Sequence, residues 1–188
     1  MGLEIVEGIK GSGKTVFTTY RAYQAYKQKR QVFCNYKLNF PSKAFTLEVL
    51  TQRMDSLQNA TIIIDEAHNY FDAREFSSKK NQLFNKFQAQ TRKRKLEVIL
   101  TSQQYENVDL RIRKNLDVIH TCFPYRLVLV DGQKTLRKCT LSEIENHQVN
   151  RIMVHSNLLW AGGETKWLKF DPSPYFKLYD SDEFVDII

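Results

Sequence analysis

The sequence predicts an α/β fold in which a central, mostly parallel sheet is followed by a β-rich C-terminal extension. Over residues 1–123, short strand-like apolar runs alternate with helical segments, which is the pattern of a parallel sheet with right-handed crossovers. A glycine-rich loop follows the first run directly, and the last third contains strand-like runs around an Asp-Gly pair and a Gly-Gly pair. We therefore expect a single domain over residues 1–188, with its core at 1–123 and the extension at 124–188.

The first half of the core is predicted element by element. Residues 3–8 (LEIVEG) indicate a short buried strand and residues 31–36 (QVFCNY) a second one. Between them, residues 15–28 lack Gly and Pro and carry apolar residues at helical spacing, so a helix is expected. A second helix is expected from Phe45 to about Leu57, with Thr46 as its N-cap.

The remaining elements follow the same logic. The continuous apolar run of residues 60–66 (ATIIIDE) indicates a third strand buried on both faces. Residues 78–92 predict a helix, and strands are expected within 96–104 (LEVILTSQQ) and 116–123 (LDVIHTCF). The inward side chains of that helix are expected to be Leu83, Phe84 and Phe87. In the extension, the strand-like runs that flank Asp131-Gly132 predict a hairpin.

Composition excludes several classes of protein. The chain is 42% hydrophobic and 26% charged, as in a globular protein with a proper core. No apolar run approaches the roughly 18 residues needed to cross a membrane, and the N-terminus lacks the pattern of a signal peptide. Cys34, Cys122 and Cys139 show no paired spacing, so reduced and buried thiols are expected. We expect a cytoplasmic location, in a host cell or in a virion if the protein is viral.

The positive charge is concentrated in one window. Residues 74–114 contain eleven Lys or Arg and four Asp or Glu. The net charge of this window is therefore +7, the same as that of the whole chain. Such a concentration indicates a surface that faces a polyanion, although a solvated charged face is the ordinary alternative.

The loop after the first strand matches the phosphate-binding pattern G-x-x-x-x-G-K-[ST] through Gly8, Gly13, Lys14 and Thr15. Its backbone N–H groups and the following helix N-terminus favour phosphate oxygens. We expect Lys14 to reach the β- and γ-phosphates of ATP and Thr15 to bind Mg²⁺. The remaining expected nucleotide contacts of the loop are Gly11, Ser12 and Val16.

An acidic pair ends the third strand, at the sheet edge where parallel sheets bind ligands. Asp65 is expected to hold Mg²⁺, and Glu66 to act on the attacking water as a general base. The alternative is a pair that caps the next helix. His68 completes the letters DEAH of a helicase box, but such helicases need two motor domains, so His68 is expected to be a helix or turn residue and not a catalytic one.

The fourth strand ends in polar residues that could sense the γ-phosphate. Gln103 is the first candidate and Gln104 the second, and a polar strand end without function is the alternative. Together with the acidic pair, this arrangement is typical of P-loop ATPases that carry an additional strand and a catalytic glutamate.

These segments resemble the FtsK–HerA superfamily of DNA-pumping ATPases, and within it Zot-like phage ATPases and small viral genome-packaging ATPases. The resemblance lies in GIKGSGKT, IIIDEAHNYFDAR, TRKRKLEVILTSQQYENVDLRIRKNLD and the tail YFKLYDSDE. It implies a RecA-like core with strand order 5-1-4-3-2 and a homo-oligomeric ring with ATP between subunits. Zot-like proteins that assemble filamentous phages carry a membrane-spanning segment, which this sequence does not show.

The resemblance also implies an arginine that reaches a neighbour's ATP, where a guanidinium stabilises the charge on the transferring phosphoryl group. Arg92 is the first candidate by its placement before Gln103, and Arg94, Arg111 and Arg113 are the alternatives. Each of these could instead face DNA or solvent.

The function expected from these features is an ATP-hydrolysing translocase of double-stranded DNA, most consistent with viral genome packaging and without sequence preference. The alternative is a nucleotide-dependent assembly or switch ATPase that acts on a protein partner, such as a capsid or membrane-bound viral protein. Its docking tail would be the acidic C-terminus, with Asp180, Asp182, Glu183 and Asp186. A third alternative is a small-molecule kinase.

Overall fold

The computed structural model describes residues 2–46, 49, 57–71, 84, 86–87 and 91–184. Within these residues the chain forms eleven strands, namely β1 (Leu3–Glu7), β2 (Gln31–Cys34), β3 (Tyr36–Leu38), β4 (Lys43–Ala44), β5 (Ala60–Ile64), β6 (Glu97–Ser102), β7 (Val118–Val130), β8 (Gln133–Lys138), β9 (Arg151–Leu158), β10 (Glu164–Phe170) and β11 (Tyr179–Phe184). The helices whose bounds are described are α1 (Lys14–Lys27), α2 (Leu110–Arg113) and α3 (Leu141–Glu145).

Most strands form one sheet in the order β10-β9-β7-β1-β6-β5-β2-β4. The pairs from β7 through β1, β6, β5 and β2 to β4 are parallel, whereas β9, β10 and β8 are antiparallel to their neighbours. The five predicted core strands, which are β1, β2, β5, β6 and β7, therefore stand in the implied order 5-1-4-3-2. The predicted α/β fold with a mostly parallel sheet and a β-rich extension is confirmed.

One predicted strand is wrong in extent. The run 31–36 breaks at Asn35, because the buried Asn35 side chain accepts from the Asp65 N–H at 2.7 Å and donates to the Asp65 carbonyl at 2.9 Å. The backbone turns away to make these bonds. As a result, only the part of this run that forms β2 stays in the main sheet. Tyr36 begins β3, which pairs with β11 in a separate two-stranded sheet.

Several predicted elements agree with the structure where it describes them. The first helix is α1, Phe84 and Phe87 are buried in helical backbone, and all three cysteines are free and buried. The predicted helix at 45–57 is described at Phe45, Thr46, Val49 and Leu57, of which Val49 alone is helical. Most of the 78–92 helix, including Leu83, lies outside the described residues. In the described part of the chain, no helix has the length and apolar character needed to span a bilayer.

The extension is built on the long strand β7. The first residues of β7 pair with β1 on one edge and with β9 on the other. The predicted boundary between core and extension, after residue 123, therefore lies inside this strand. The predicted hairpin is confirmed: Asp131 (φ 51°) and Gly132 (φ 75°) both have left-handed backbone, as a tight primed turn requires. Tyr125 pairs with Lys138 of β8 and with Arg151 of β9, so β8 lies on the β1 edge of β7, beyond the point where β1 ends.

Two apolar cores cover the faces of the sheet. One lies between the sheet and α1 and contains Val6, Phe17 and Ile63, together with Ile152 and Val154 of β9. The other lies on the opposite face. Its members include Leu3, Ile5, Ile62, Ile64, Phe71, Phe84, Phe87 and Ile112.

A buried polar network crosses the sheet under α1. Glu4 of β1 accepts from His120 Nε2 at 2.9 Å and pairs with Arg21 of α1 at 3.0 Å. Arg21 also pairs with Glu97 of β6 at 2.6 Å, and Glu97 accepts from Thr61 of β5 at 2.9 Å. Burial alone would raise the pKa of Glu4, but the His120 hydrogen bond and the Arg21 charge outweigh it and lower the pKa from 4.5 to about 2. The charged form of Glu4 therefore stabilises the fold and anchors α1.

The lowered pKa of Glu4 makes stability depend on pH. Its contribution, about 3 kcal/mol for a shift of this size, is complete above about pH 5 and is lost as the pH falls from 4.5 towards 2. We expect Glu4→Gln to have a lower free energy of unfolding than the wild type at pH 7, with a difference that narrows by pH 3. Urea unfolding at both pH values measures this. Glu164→Gln on the exposed edge strand β10 is the control, and a Glu4→Gln deficit of equal size at both pH values would contradict the account.

Candidate functional site

The glycine-rich loop joins β1 to α1 at the carboxyl edge of the sheet. Gly13 caps α1 with left-handed backbone (φ 96°), and a Cβ there would overlap the side chain of Ile152. The side chain of Lys14 is folded back onto the loop, where its ammonium donates to the carbonyl oxygens of Gly8 at 2.9 Å and Ile9 at 3.3 Å. Lys14 is thus held over the loop by bonds that a phosphate could replace.

The predicted magnesium ligands are in contact. Thr15 Oγ1 donates to Asp65 Oδ2 at 3.0 Å, which joins the start of α1 to the end of β5. Asp65 is buried, and Asn35 fixes its backbone on both sides. Burial raises the pKa of the Asp65 carboxyl, while hydrogen bonds from Thr101 and Thr15 oppose the rise. The structure therefore brings together two oxygen ligands of the kind that Mg²⁺ prefers.

Thr101 connects the two acidic residues. Its hydroxyl, at the end of β6, donates to Asp65 Oδ1 and accepts from the backbone N–H of Glu66 at 2.8 Å. We call the resulting series Thr15–Asp65–Thr101–Glu66 the acidic-pair bridge. It ties the loop helix, β5 and β6 at one point, where one buried hydroxyl contacts the Asp65 carboxylate and the Glu66 backbone.

Glu66 occupies an unusual backbone conformation. Its φ of 50° and ψ of 48° are left-handed, which costs a non-glycine residue on the order of 1–3 kcal/mol. The turn sends the Glu66 side chain out of the strand, where its carboxylate lies 3.3 Å from His68 Nδ1. His68 belongs to a short 3-10 turn, Ala67–Asn69, as expected for a turn residue, and it also contacts Ser102 Oγ at 3.4 Å.

Gln103 follows β6 directly beside the phosphate loop. Its carbonyl accepts from the N–H of Gly8 at 3.3 Å, whereas its side chain is exposed, as is that of Gln104. The backbone thus places Gln103 at the loop, and the role of its amide as a γ-phosphate sensor stays a prediction.

Arg92 lies at the other edge of the sheet. It pairs with Asp117, which precedes β7 and accepts from Leu3 N–H at 2.9 Å. Leu3 begins β1, whereas the phosphate loop follows the end of β1. Arg92 and Lys14 of one chain therefore lie at opposite ends of the strands. The alternative Arg111 pairs with Asp109 at 2.8 Å, and Arg113 donates to the Val108 carbonyl at 2.9 Å.

The residues around the loop suit ATP and Mg²⁺. Among the described residues, Ser12 Oγ is one of two buried side-chain polar atoms without a hydrogen-bond partner. An unpaired donor at the centre of a loop of N–H groups fits an anion, and the Lys14 ammonium and the Thr15–Asp65 oxygens fit a phosphate and its metal. The donors and acceptors of this chain thus match the chemistry of a triphosphate and its metal ion.

Sequence reasoning missed Thr101 and Asn35. Thr101 lies two residues before Gln103, at the same polar strand end. Asn35 lies inside a predicted strand, between Cys34 and Tyr36. A buried polar residue at the end of a strand beside the acidic pair was the available signal for both.

One family pattern matches most of the chain. The family described as zonular occludens toxin (Zot) matches residues 40–183. Among proteins with curated functions, none is significantly similar in sequence to this chain.

Solved structures with the same fold cover nearly the whole chain. The N-terminal domain of zonular occludens toxin from Neisseria meningitidis has a TM-score of 0.58 at 15% identity, over 95% of this chain and 98% of that one. The genome packaging NTPase B204 from Sulfolobus turreted icosahedral virus 2, in complex with ATP-gammaS, has a TM-score of 0.53 at 12% identity, over 88% and 96%. The pCW3 conjugation coupling protein TcpA has a TM-score of 0.52 at 12% identity, over 93% and 64%. These likenesses show a P-loop NTPase fold, as predicted.

The acidic-pair bridge predicts the effect of removing one hydroxyl. Thr101→Val keeps the shape of the side chain but leaves the buried Asp65 carboxylate and the Glu66 N–H without that partner. We expect Thr101→Val to lower the free energy of unfolding by about 1–3 kcal/mol. Thr101→Ser, which keeps the hydroxyl, should retain most of the wild-type stability. Chemical denaturation measures the change. Thr135→Val on the exposed strand β8 is the matched control, and a Thr101→Val variant as stable as this control would contradict the bridge.

Proposed function

This chain belongs to the zonular occludens toxin (Zot) family, and we propose that it is an ATPase whose hydrolysis of ATP with Mg²⁺ drives the movement of double-stranded DNA, in viral genome packaging. The observation that best supports ATP hydrolysis is the acidic-pair bridge beside a P-loop. It holds a metal-binding oxygen pair and an adjacent carboxylate at the edge of the sheet where the loop opens.

The proposed hydrolysis uses each residue for one task. Lys14 exchanges the carbonyls of Gly8 and Ile9 for the β- and γ-phosphate oxygens. Thr15 and Asp65 would hold Mg²⁺, which would supply positive charge against the charge that develops on the phosphates. Glu66 accepts a proton from the water whose oxygen attacks the γ-phosphorus, while the bond from that phosphorus to the ADP oxygen breaks.

A basic cleft supports the polyanion partner. A cavity of about 530 Å³ at the amino edge of the sheet is lined by Arg92, Arg113, Lys114, Asp117 and Trp160, among other residues. The cations offered to the polyanion are Lys114 of this lining and Lys93 and Lys95, all of which are exposed. Cations on a cleft with an exposed aromatic ring favour a nucleic-acid backbone without base readout. Arg74, Lys79 and Lys80 of the basic window lie outside the described residues.

The position of Arg92 supports a ring of subunits. An arginine at the edge opposite its own phosphate loop can act in hydrolysis only on a neighbour's nucleotide, as an arginine finger does. We propose a homo-oligomer in which Arg92 takes this role, in the cytoplasm of a host cell or in a virion. B204, a genome packaging NTPase with the same fold, supports the same task.

A second candidate function is an assembly or switch ATPase that acts on a protein, such as a capsid or membrane-bound viral component. Exposed apolar side chains of the extension favour it, because Leu129 and Leu141 are each 71% exposed and Val130 is 50% exposed. Scattered apolar residues are ordinary, but two consecutive exposed ones, Leu129 and Val130 at the hairpin tip, suit a protein contact. The acidic residues proposed as a docking tail include Asp186, which lies outside the described residues, and Asp182 and Glu183, whose side chains are not described.

Two substitutions separate binding from hydrolysis. We expect Lys14→Ala to abolish phosphate release because the phosphate-binding cation is lost. Glu66→Gln should bind ATP normally and lower the turnover number by about 10²–10⁴-fold, the range for losing a general base. Phosphate release and nucleotide binding are measured in parallel. Lys27→Ala, at the exposed far end of α1, is the control, and unimpaired turnover in Glu66→Gln would refute the assigned base.

DNA should stimulate hydrolysis in a salt-sensitive way. We expect random-sequence duplex DNA to raise the ATPase rate, and Lys114→Ala to weaken DNA binding and reduce the slope of log affinity against log salt by about 0.9 for a lost phosphate contact. Titrations between low and physiological salt measure both. Lys134→Ala on β8 is the matched exposed control. A rate indifferent to DNA at low salt would remove the translocase and favour the assembly ATPase.

A further inference from the structure

The extension covers one side of the phosphate loop. Because β8 runs along the β1 edge of β7 past the end of β1, the chain that leaves β8 arrives beside the loop. There, Ile144 of α3 packs so closely on Gly11 that a Cβ at Gly11 would overlap its Cγ2. Ile152 of β9 is in the same relation to Gly13. We call residues 140–152 the loop-covering segment.

The loop-covering segment is fixed in place. Thr140 and Glu143 form a capping box at the start of α3. Glu143 also pairs with Arg126 of β7 at 3.2 Å, and with Arg137 of β8. Farther along, Gln148 accepts from Arg126 at 2.6 Å. The segment is therefore held to the hairpin by charge-assisted bonds and does not depend on the loop for its position.

The position of the acidic pair determines which way a nucleotide must lie. Glu66, which follows β5, and Thr101, near the end of β6, mark the γ-phosphate end, and both lie on one side of β1. The nucleoside is joined to the α-phosphate, at the other end of the triphosphate. It therefore leaves the loop towards β7, on the opposite side of β1, which is where the loop-covering segment lies.

We propose that the loop-covering segment is the nucleoside-binding wall of the ATP site, with Ile144 as the apolar contact of the base or ribose. This inference rests on the proposed ATPase and adds the residues that hold the part of ATP beyond the phosphates. Ile144 is half-buried, so its side chain keeps an open apolar surface beside Gly11. Gln148 is exposed, and its side-chain N–H₂ group, whose carbonyl oxygen Arg126 binds, can donate to the base edge or to a ribose hydroxyl.

Photolabelling of the wild-type protein tests the wall without any substitution. Residues 139–151 form one tryptic peptide, because Lys138 and Arg151 flank a stretch without Lys or Arg. We expect 8-azido-ATP, bound with Mg²⁺ and irradiated, to label this peptide, and excess ATP to prevent the labelling. ATP-protected label confined to peptides of β5, β6 or α1 would overturn the proposal.

Affinities of two ligands separate nucleoside contact from loop support. We expect Ile144→Ala to weaken binding of the ATP analogue AMPPCP about three- to tenfold. The affinity of the same variant for inorganic tripolyphosphate should stay within about twofold of the wild-type value. Ile144→Val should bind AMPPCP nearly as tightly as the wild type. Leu129→Ala at the hairpin tip is the control. An equal loss for both ligands, or no loss for either, would overturn the wall. Undiminished binding of both ligands by Lys14→Ala would instead count against the proposed ATPase itself.

Discussion

The hydrogen bonds of the Thr101 hydroxyl determine where the two acidic residues of this protein stand. Asp65 ends one strand, Glu66 turns away from it, and Thr101 on the next strand contacts both. Thr15 adds the start of α1 to the same point. Since each contact is buried or half-buried, displacing any member leaves a charge or a donor without its hydrogen-bond partner. This constraint explains why Glu66 can be held in a left-handed conformation that few non-glycine residues adopt.

The extension covers one side of the phosphate loop. In a bare parallel sheet, the phosphate loop would face solvent on the β7 side. Here β7 continues for thirteen residues, and the hairpin it forms brings Ile144 and Ile152 against the glycines of the loop. The glycines at positions 11 and 13 thus serve two purposes, because their backbone conformation favours phosphate and their missing side chains admit the extension. The basic cleft lies at the opposite edge, so the two proposed ligands occupy different ends of the same strands.

The sequence was informative where chemistry depends on local spacing. The phosphate loop, the acidic pair and the Asp-Gly hairpin were predictable, because each depends on residues that are neighbours in the chain, whereas the strand order came only from the family resemblance. What could not be predicted depends on distant pairings. Asn35 interrupts a strand because of a partner thirty residues away, and Thr101 gains its role only when β6 lies beside β5. Likewise, nothing local in the extension indicates that Ile144 meets Gly11.

The most direct test of the account is a high-resolution structure of the protein with AMPPCP and Mg²⁺. The account predicts one nucleotide per chain, with Lys14 Nζ moved from the Gly8 carbonyl to the β- and γ-phosphates. It also predicts Mg²⁺ at Thr15 Oγ1 and Asp65, and an unchanged contact between Asp65 and Thr101. A nucleotide bound elsewhere, or a bound nucleotide with Lys14 still on Gly8 and Thr15 still donating to Asp65, would contradict it.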